Sequence, residues 1–150
     1  MNSPKPPPLQ ATAIAFIGGV AGTLVRIVST MLGEMMHTAP WIPTLAVNIV
    51  ASFLAGFIGR YLLGHLIGRK AINIEVLDPR EVLAYRWSML WVTGFCGGLS
   101  TFSAFGLEMG ELARAHNLGE GMLVIALSLS LGISAAWCGL RLGMRLNHNR

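Results

Sequence analysis

The chain has 150 residues, 53% of them hydrophobic and only 12% charged, with a formal net charge of +4 and a mean hydropathy of +0.60. A soluble domain carries about twice that charged fraction, so the composition is that of an integral membrane protein. At about 20 apolar residues per crossing the length holds four spans and no soluble catalytic domain, and basic residues that flank apolar spans without interleaved aromatics exclude nucleic acid as a partner.

The first nine residues are proline-rich, carry only Lys5, and show no cleavage pattern ahead of the apolar run, so the first span, residues 10–32, is expected to be retained. Within it Gly18 and Gly22 stand four apart, the spacing that lets helix backbones approach in lipid. Arg26 also lies inside this span, where a cation costs roughly 2.5 to 3.5 kcal/mol near the helix centre. It either snorkels to an interface, binds helix-terminal carbonyls, or supports an ion directly.

Pro40 and Pro43 punctuate the entrance to the second span, residues 41–67. Thr44, Asn48 and Ser52 follow at i, i+4 and i+8 and form one polar stripe on an otherwise apolar helix. Asn48 is its strongest donor, and it serves either as interhelical glue worth ~0.6 to 2 kcal/mol or as part of a polar path. Ser52 with Gly56 and Gly64 with Gly68 repeat the small-residue spacing. Residues 68–86, with Arg69, Lys70, Glu75, Asp78, Pro79, Arg80 and Glu81, read as the one sizeable surface loop.

The third span, residues 85–115, contains Gly94-Phe95-Cys96-Gly97-Gly98-Leu99-Ser100-Thr101-Phe102-Ser103-Ala104-Phe105. Three glycines and several hydroxyls at this depth predict an interrupted helix, and hydrocarbon tolerates unpaired backbone only where protein or an ion supplies partners. A break at residues 97–101 would present carbonyls, which attract cations, on one side and N–H groups, which attract anions, on the other. Phe102 and Phe105 share a face directly after the break, with Glu108 one turn further. The phenylalanines either pack or present the partially positive edges of their rings. Glu108 is either a buried ion or proton ligand or a wetted group beside Glu111 and Arg114. Such a constellation reads as ion-handling machinery.

A short turn at residues 117–119 makes span four, residues 119–142, the antiparallel partner of span three. Ser128 and Gly132 repeat the packing spacing, and Ser128 alone among the serines is a candidate for the polar path, because Ser130 and Ser134 lie on another face and serines in such helices back-bond to their own carbonyls. Cys96 and Cys138 fall inside spans and are expected to pack as small apolar groups. Four helices do not readily enclose a polar path, so a second copy or a partner is expected to complete it.

Gly18-Gly19-Val20-Ala21-Gly22-Thr23-Leu24-Val25-Arg26, Pro43-Thr44-Leu45-Ala46-Val47-Asn48 and the glycine-rich motif of span three together resemble the Fluc (CrcB) family of fluoride channels. The resemblance extends over all four spans. It implies an all-α membrane protein with a broken third helix, assembled as an antiparallel dimer with two pores, which passively exports cytoplasmic fluoride across the cell (inner) membrane and catalyses no reaction. It further implies a structural Na+ at the dimer centre, held by the Gly97 and Ser100 carbonyls of each copy. Phe102 and Phe105 match the pore phenylalanines, Asn48 the pore amide, and Thr44, Thr101, Ser103, Ser128 and Glu108 the surrounding polar path, with Arg26 in support. Ala104 stands where the family often has a hydroxyl, and Val124 where a tyrosine is common, which thins the polar track.

Two other readings are weighed. A proton-coupled multidrug exporter wants a membrane carboxylate in span one, where only Arg26 and the boundary Glu34 stand, and a non-transporting assembly subunit would use the polar motifs as packing alone. The charge distribution predicts an orientation: Lys5, Arg60, Arg69, Lys70, Arg80, Arg86, Arg141, Arg145 and Arg150 share one side against Arg114 on the other, which favours cytoplasmic termini. An antiparallel pair, by contrast, needs one subunit of each orientation, supplied by a second copy or a homologous subunit.

Overall fold

The computed structural model describes residues 8–67 and 79–148. Helix α1 spans Pro8–Met35 and α2 Trp41–Ile67. The third crossing is assembled from α3 (Pro79–Ser88), a π-helical segment Met89–Cys96, the short α4 (Gly97–Leu99) and, beyond a break, α5 (Phe102–Arg114). Helix α6 spans Leu118–His148. Four described stretches are long and apolar enough to cross a membrane, Leu9–Met35, Trp41–Leu62, Val82–Arg114 and Leu118–Leu146, so the chain is an all-helical, multi-pass membrane protein with a bent third crossing.

One expectation is corrected. Of the loop assigned to residues 68–86, residues 68–78 lie outside the described residues, but Pro79–Ser88 is helical and continuous with the third crossing. Proline suits the first helical position, where its missing N–H is not needed, and the sequence after it favours helix. Its polarity marks a helix end beyond the hydrocarbon rather than a loop. Lys5, Arg69, Lys70 and Arg150 of the charge count also lie outside the described residues.

The side chains are distributed as lipid demands. The described core is small, with Val47, Ala51, Cys96 and Leu99 buried and Leu54, Ala55 and Phe95 packed against them. Large aliphatic and aromatic groups such as Phe16, Ile17, Leu24, Leu129 and Ile133 point outward, because hydrocarbon solvates them as well as a core does. Cys96 is buried, Cys138 is exposed, and neither is paired.

Glycines set two close seams. Along α1, a Cβ on Gly18 would strike the Leu90 carbonyl and lie 2.9 Å from Phe95 N, and one on Gly22 would strike the Phe95 carbonyl and lie 2.8 Å from Leu99 N. From the other side, Gly94 abuts the Ala15 carbonyl and Gly98 the Gly19 carbonyl. The backbones of α1 and the π-helical segment are therefore in direct contact. Between α2 and α6 the seam uses Gly56 against the Ala136 carbonyl and, beyond the expected pairs, Gly139 and Gly143 against the Phe53 and Phe57 carbonyls. Ser52 and Gly132 also meet there, 3.9 Å separating the serine oxygen from a Cβ built on the glycine. Gly68 lies outside the described residues. Phe53, Phe57 and Tyr61 stack along α2 with centroid separations of 6.2 and 5.9 Å.

Two tight turns close one end of the bundle. His37 and His116 take positive φ values of 53° and 57°, the left-handed position that usually ends a helix at glycine. Thr38 N–H reaches back to Gly33 O at 3.0 Å and Asn117 N–H to Leu112 O at 2.9 Å, satisfying the last carbonyls. At the same end the Trp41 indole N–H donates to Glu120 Oε1 at 2.7 Å, tying the start of α2 to the start of α6.

Candidate ion site at the broken third span

The break is two residues long. Ser100 (φ −75°, ψ 153°) and Thr101 (φ −150°, ψ 128°) are extended between α4 and α5, a narrower interruption than the expected residues 97–101. Asn48 holds it open. Its Oδ1 accepts from Thr101 N–H at 2.8 Å and its Nδ2 donates to Thr101 O at 3.1 Å. An uninterrupted helix would bring that same N–H to the carbonyl of Gly97, four residues back. By taking the donor, Asn48 withholds it from Gly97 and stabilises the extended conformation.

Thr101 then caps α5, its hydroxyl accepting from Ala104 N–H at 3.3 Å and lying 3.2 Å from Ser103 Oγ. Two hydroxyls thus meet at the positive end of a 13-residue helix. Phe102 follows and is 84% exposed, while Phe105 is half-buried with its ring centroid 6.1 Å away and tilted by 37°. An aromatic so fully presented on the outer surface meets either lipid or a second protein.

One turn further, Glu108 Oε1 accepts a hydrogen bond from the Thr44 hydroxyl, and Thr44 is 7% exposed. Glu108 Oε2 is buried without a hydrogen-bond partner. The stripe on α2 therefore has a defined target at each step: Thr44 meets α5, Asn48 meets the break, and Ser52 meets α6. On the α1 side, Thr23 Oγ1 lies 3.4 Å from Gly98 O and donates to it.

Gly97 and Ser100 are both exposed, and a Cβ on Gly97 would meet nothing within 4 Å. Open space therefore lies over the residues expected to offer carbonyls. Arg26 and Ser128 are half-buried, and among the described residues no hydrogen bond joins either side chain to the break. Arg26 Nε is buried with no partner. Ser130 back-bonds to Ala126 O at 2.7 Å, as expected of a serine off the polar path. Sequence reasoning missed the Thr23 contact, although Thr23 stands in the first motif, and it missed the π-helical segment before the break.

The chain matches the family described as CrcB-like protein, Camphor Resistance (CrcB), over residues 13–140. A Coxiella burnetii protein named fluoride-specific ion channel FluC is 34% identical over 134 residues, covering 89% of this chain and 97% of the relative. An Escherichia coli protein of the same name is 32% identical over 121 residues, 81% and 84% of the two chains. A Leifsonia xyli protein named fluoride-specific ion channel FluC 2 is 30% identical over 141 residues, 94% and 88%. The family match covers most of the chain, including the broken span: the chain belongs to the CrcB (FluC) family, a family of ion channels rather than enzymes.

Proposed function

We propose that the chain is a fluoride channel whose conduction path runs past the break in the third crossing. The observation that carries this reading is the clamp of Asn48 on Thr101, which builds a donor-rich interruption inside an apolar bundle, directly before an exposed phenylalanine. The names of the relatives point to the same ion.

Fluoride is small and strongly hydrated, so a selective path must replace its water with donors while staying too narrow for a hydrated chloride-sized ion. Here the donors are the second Asn48 amide hydrogen, the Thr101 and Ser103 hydroxyls and the ring edges of Phe102 and Phe105. Thr44, Ser128 and Glu108 extend the polar path, with Arg26 drawing anions toward it. Hydrogen fluoride enters cells neutral and ionises inside, so a passive anion path lets the membrane voltage drive fluoride outward.

The carbonyls on the other side of the break suit a hard monovalent cation. Gly97 O lacks its helical donor, Ser100 lies in extended backbone, and both residues are exposed. Carbonyls at a helix C-terminal end favour Na+, which when bound would neutralise them and join two copies about a shared centre. An antiparallel dimer would bring the exposed Phe102 of one copy into the interior of the pair. The inner membrane is its proposed location.

Purified protein reconstituted into liposomes, with potassium ionophore to carry counter-charge, tests the reading. Rapid fluoride efflux with negligible chloride efflux is expected; no fluoride efflux from a monodisperse preparation would overturn it.

A further inference from the structure

We propose that the C-terminal end of α6 binds the headgroup phosphate of an anionic phospholipid, with Trp137 as the platform and Arg141 and Arg145 as the reading groups. The three residues stand at i, i+4 and i+8 and so form one stripe along α6. All three are exposed, and the Arg141 guanidinium lies 4.3 Å from the centroid of the Trp137 ring. Stacking holds the planar guanidinium in place and leaves its N–H edge to face a phosphate.

The stripe sits where a headgroup would be found. The apolar stretch of α6 runs for 29 residues to Leu146, about 43 Å at 1.5 Å per residue against a hydrocarbon core of ~30 Å, so its last turns reach the interface, the depth at which tryptophan settles. The described side chains at this end are rich in positive charge. Arg60, Arg86, Arg141 and Arg145 share this end of the bundle, whereas the acids with described side chains, Glu34, Glu108, Glu111 and Glu120, all stand toward the opposite end. Arg86 donates to the amide oxygen of Gln10 at 2.9 Å, a neutral partner that leaves its charge uncompensated. Two exposed arginines on one stripe favour a headgroup of net negative charge over a zwitterionic one.

The test uses the full chain in vesicles of phosphatidylcholine and phosphatidylglycerol at equal mole fractions, with either lipid brominated to quench tryptophan. The quenching of wild type minus that of Trp137→Phe isolates Trp137. Brominated phosphatidylglycerol should quench Trp137 more strongly than brominated phosphatidylcholine. Each arginine should account for about a fivefold preference, so that Arg141→Gln with Arg145→Gln brings the two lipids to parity. Fluoride efflux of that double variant should remain at wild-type rate and so report that it folds. Equal quenching by the two lipids in wild type would overturn the proposal, as would a preference that survives in the double variant. Loss of dimer in the double variant, without loss of lipid preference, would assign the stripe to a second copy instead.

Discussion

The third crossing has two halves that solve opposite problems. Before the break, the π-helical segment and α4 carry Gly94, Gly98, Cys96 and Leu99 into backbone contact with α1 and the small core. After it, α5 has no buried residue and carries Phe102, Phe105, Ser103 and Glu108. The same span is thus a packing element up to Leu99 and a chemical surface from Thr101 onward. Asn48, reaching from α2, separates the two. The lesson is that the site is anchored on one side only, and its outer face is finished by what lies against Phe102.

The largest effect should come from crowding the anchored half. In Gly22→Val or Gly94→Val the new side chain meets backbone carbonyls, which cannot rotate away, at a cost of about 3 kcal/mol or more. Size-exclusion chromatography should show little folded protein, whereas a valine at Gly97, which faces open space, should give a normal yield. Normal yields for all three would dissolve the contrast between the halves.

Removing the divider comes next. Asn48→Leu leaves Thr101 N–H and O without their partners, about 1 to 3 kcal/mol each, and frees Thr101 N–H to return to Gly97 O. Fluoride efflux should fall by roughly a hundredfold, and 23Na line broadening by the purified protein should weaken along with it. Wild-type efflux in this variant would make Asn48 packing alone.

A smaller effect is expected at Ser100. Ser100→Ala keeps the main-chain carbonyl and should alter sodium binding and efflux by less than about twofold, a factor worth under ~0.5 kcal/mol. A loss on the scale of Asn48→Leu would move the ligand from backbone to side chain.

The smallest effect lies away from both halves. His37→Gly and His116→Gly relieve left-handed backbone that costs a side-chain-bearing residue roughly 1 to 2 kcal/mol, partly offset by glycine's greater unfolded freedom. Thermal denaturation in detergent should show a rise of a few degrees at most, with efflux unchanged. A fall would mean that the imidazoles make contacts that outweigh the strain.

Much of this was legible in the chain. Glycines and hydroxyls inside an apolar run announce a break, because hydrocarbon forbids unpaired backbone elsewhere, and a Thr-Asn-Ser stripe at fourfold spacing announces a polar face. What that face touches was not legible. The partners of Asn48 are the N–H and carbonyl of Thr101, 53 positions away, and main-chain atoms carry no sequence signature. The π-helical segment Met89–Cys96 is equally silent, since its apolar composition reads as any spanning helix. The helix Pro79–Ser88 is hidden in the sequence because charge at a helix end resembles charge in a loop. The four-apart pair Gly139 and Gly143 is readable by the same spacing that marks Gly18 and Gly22.

Whether ions pass beside the exposed half is tested most directly by fluoride efflux from liposomes carrying wild type, Phe102→Ile or Phe105→Ile, each checked for a monodisperse profile. Isoleucine keeps an apolar side chain and removes the ring edge. Conduction past the break predicts that each substitution slows fluoride efflux, on the order of tenfold per ring, while the folded yield holds. Efflux at the wild-type rate in both variants would contradict it.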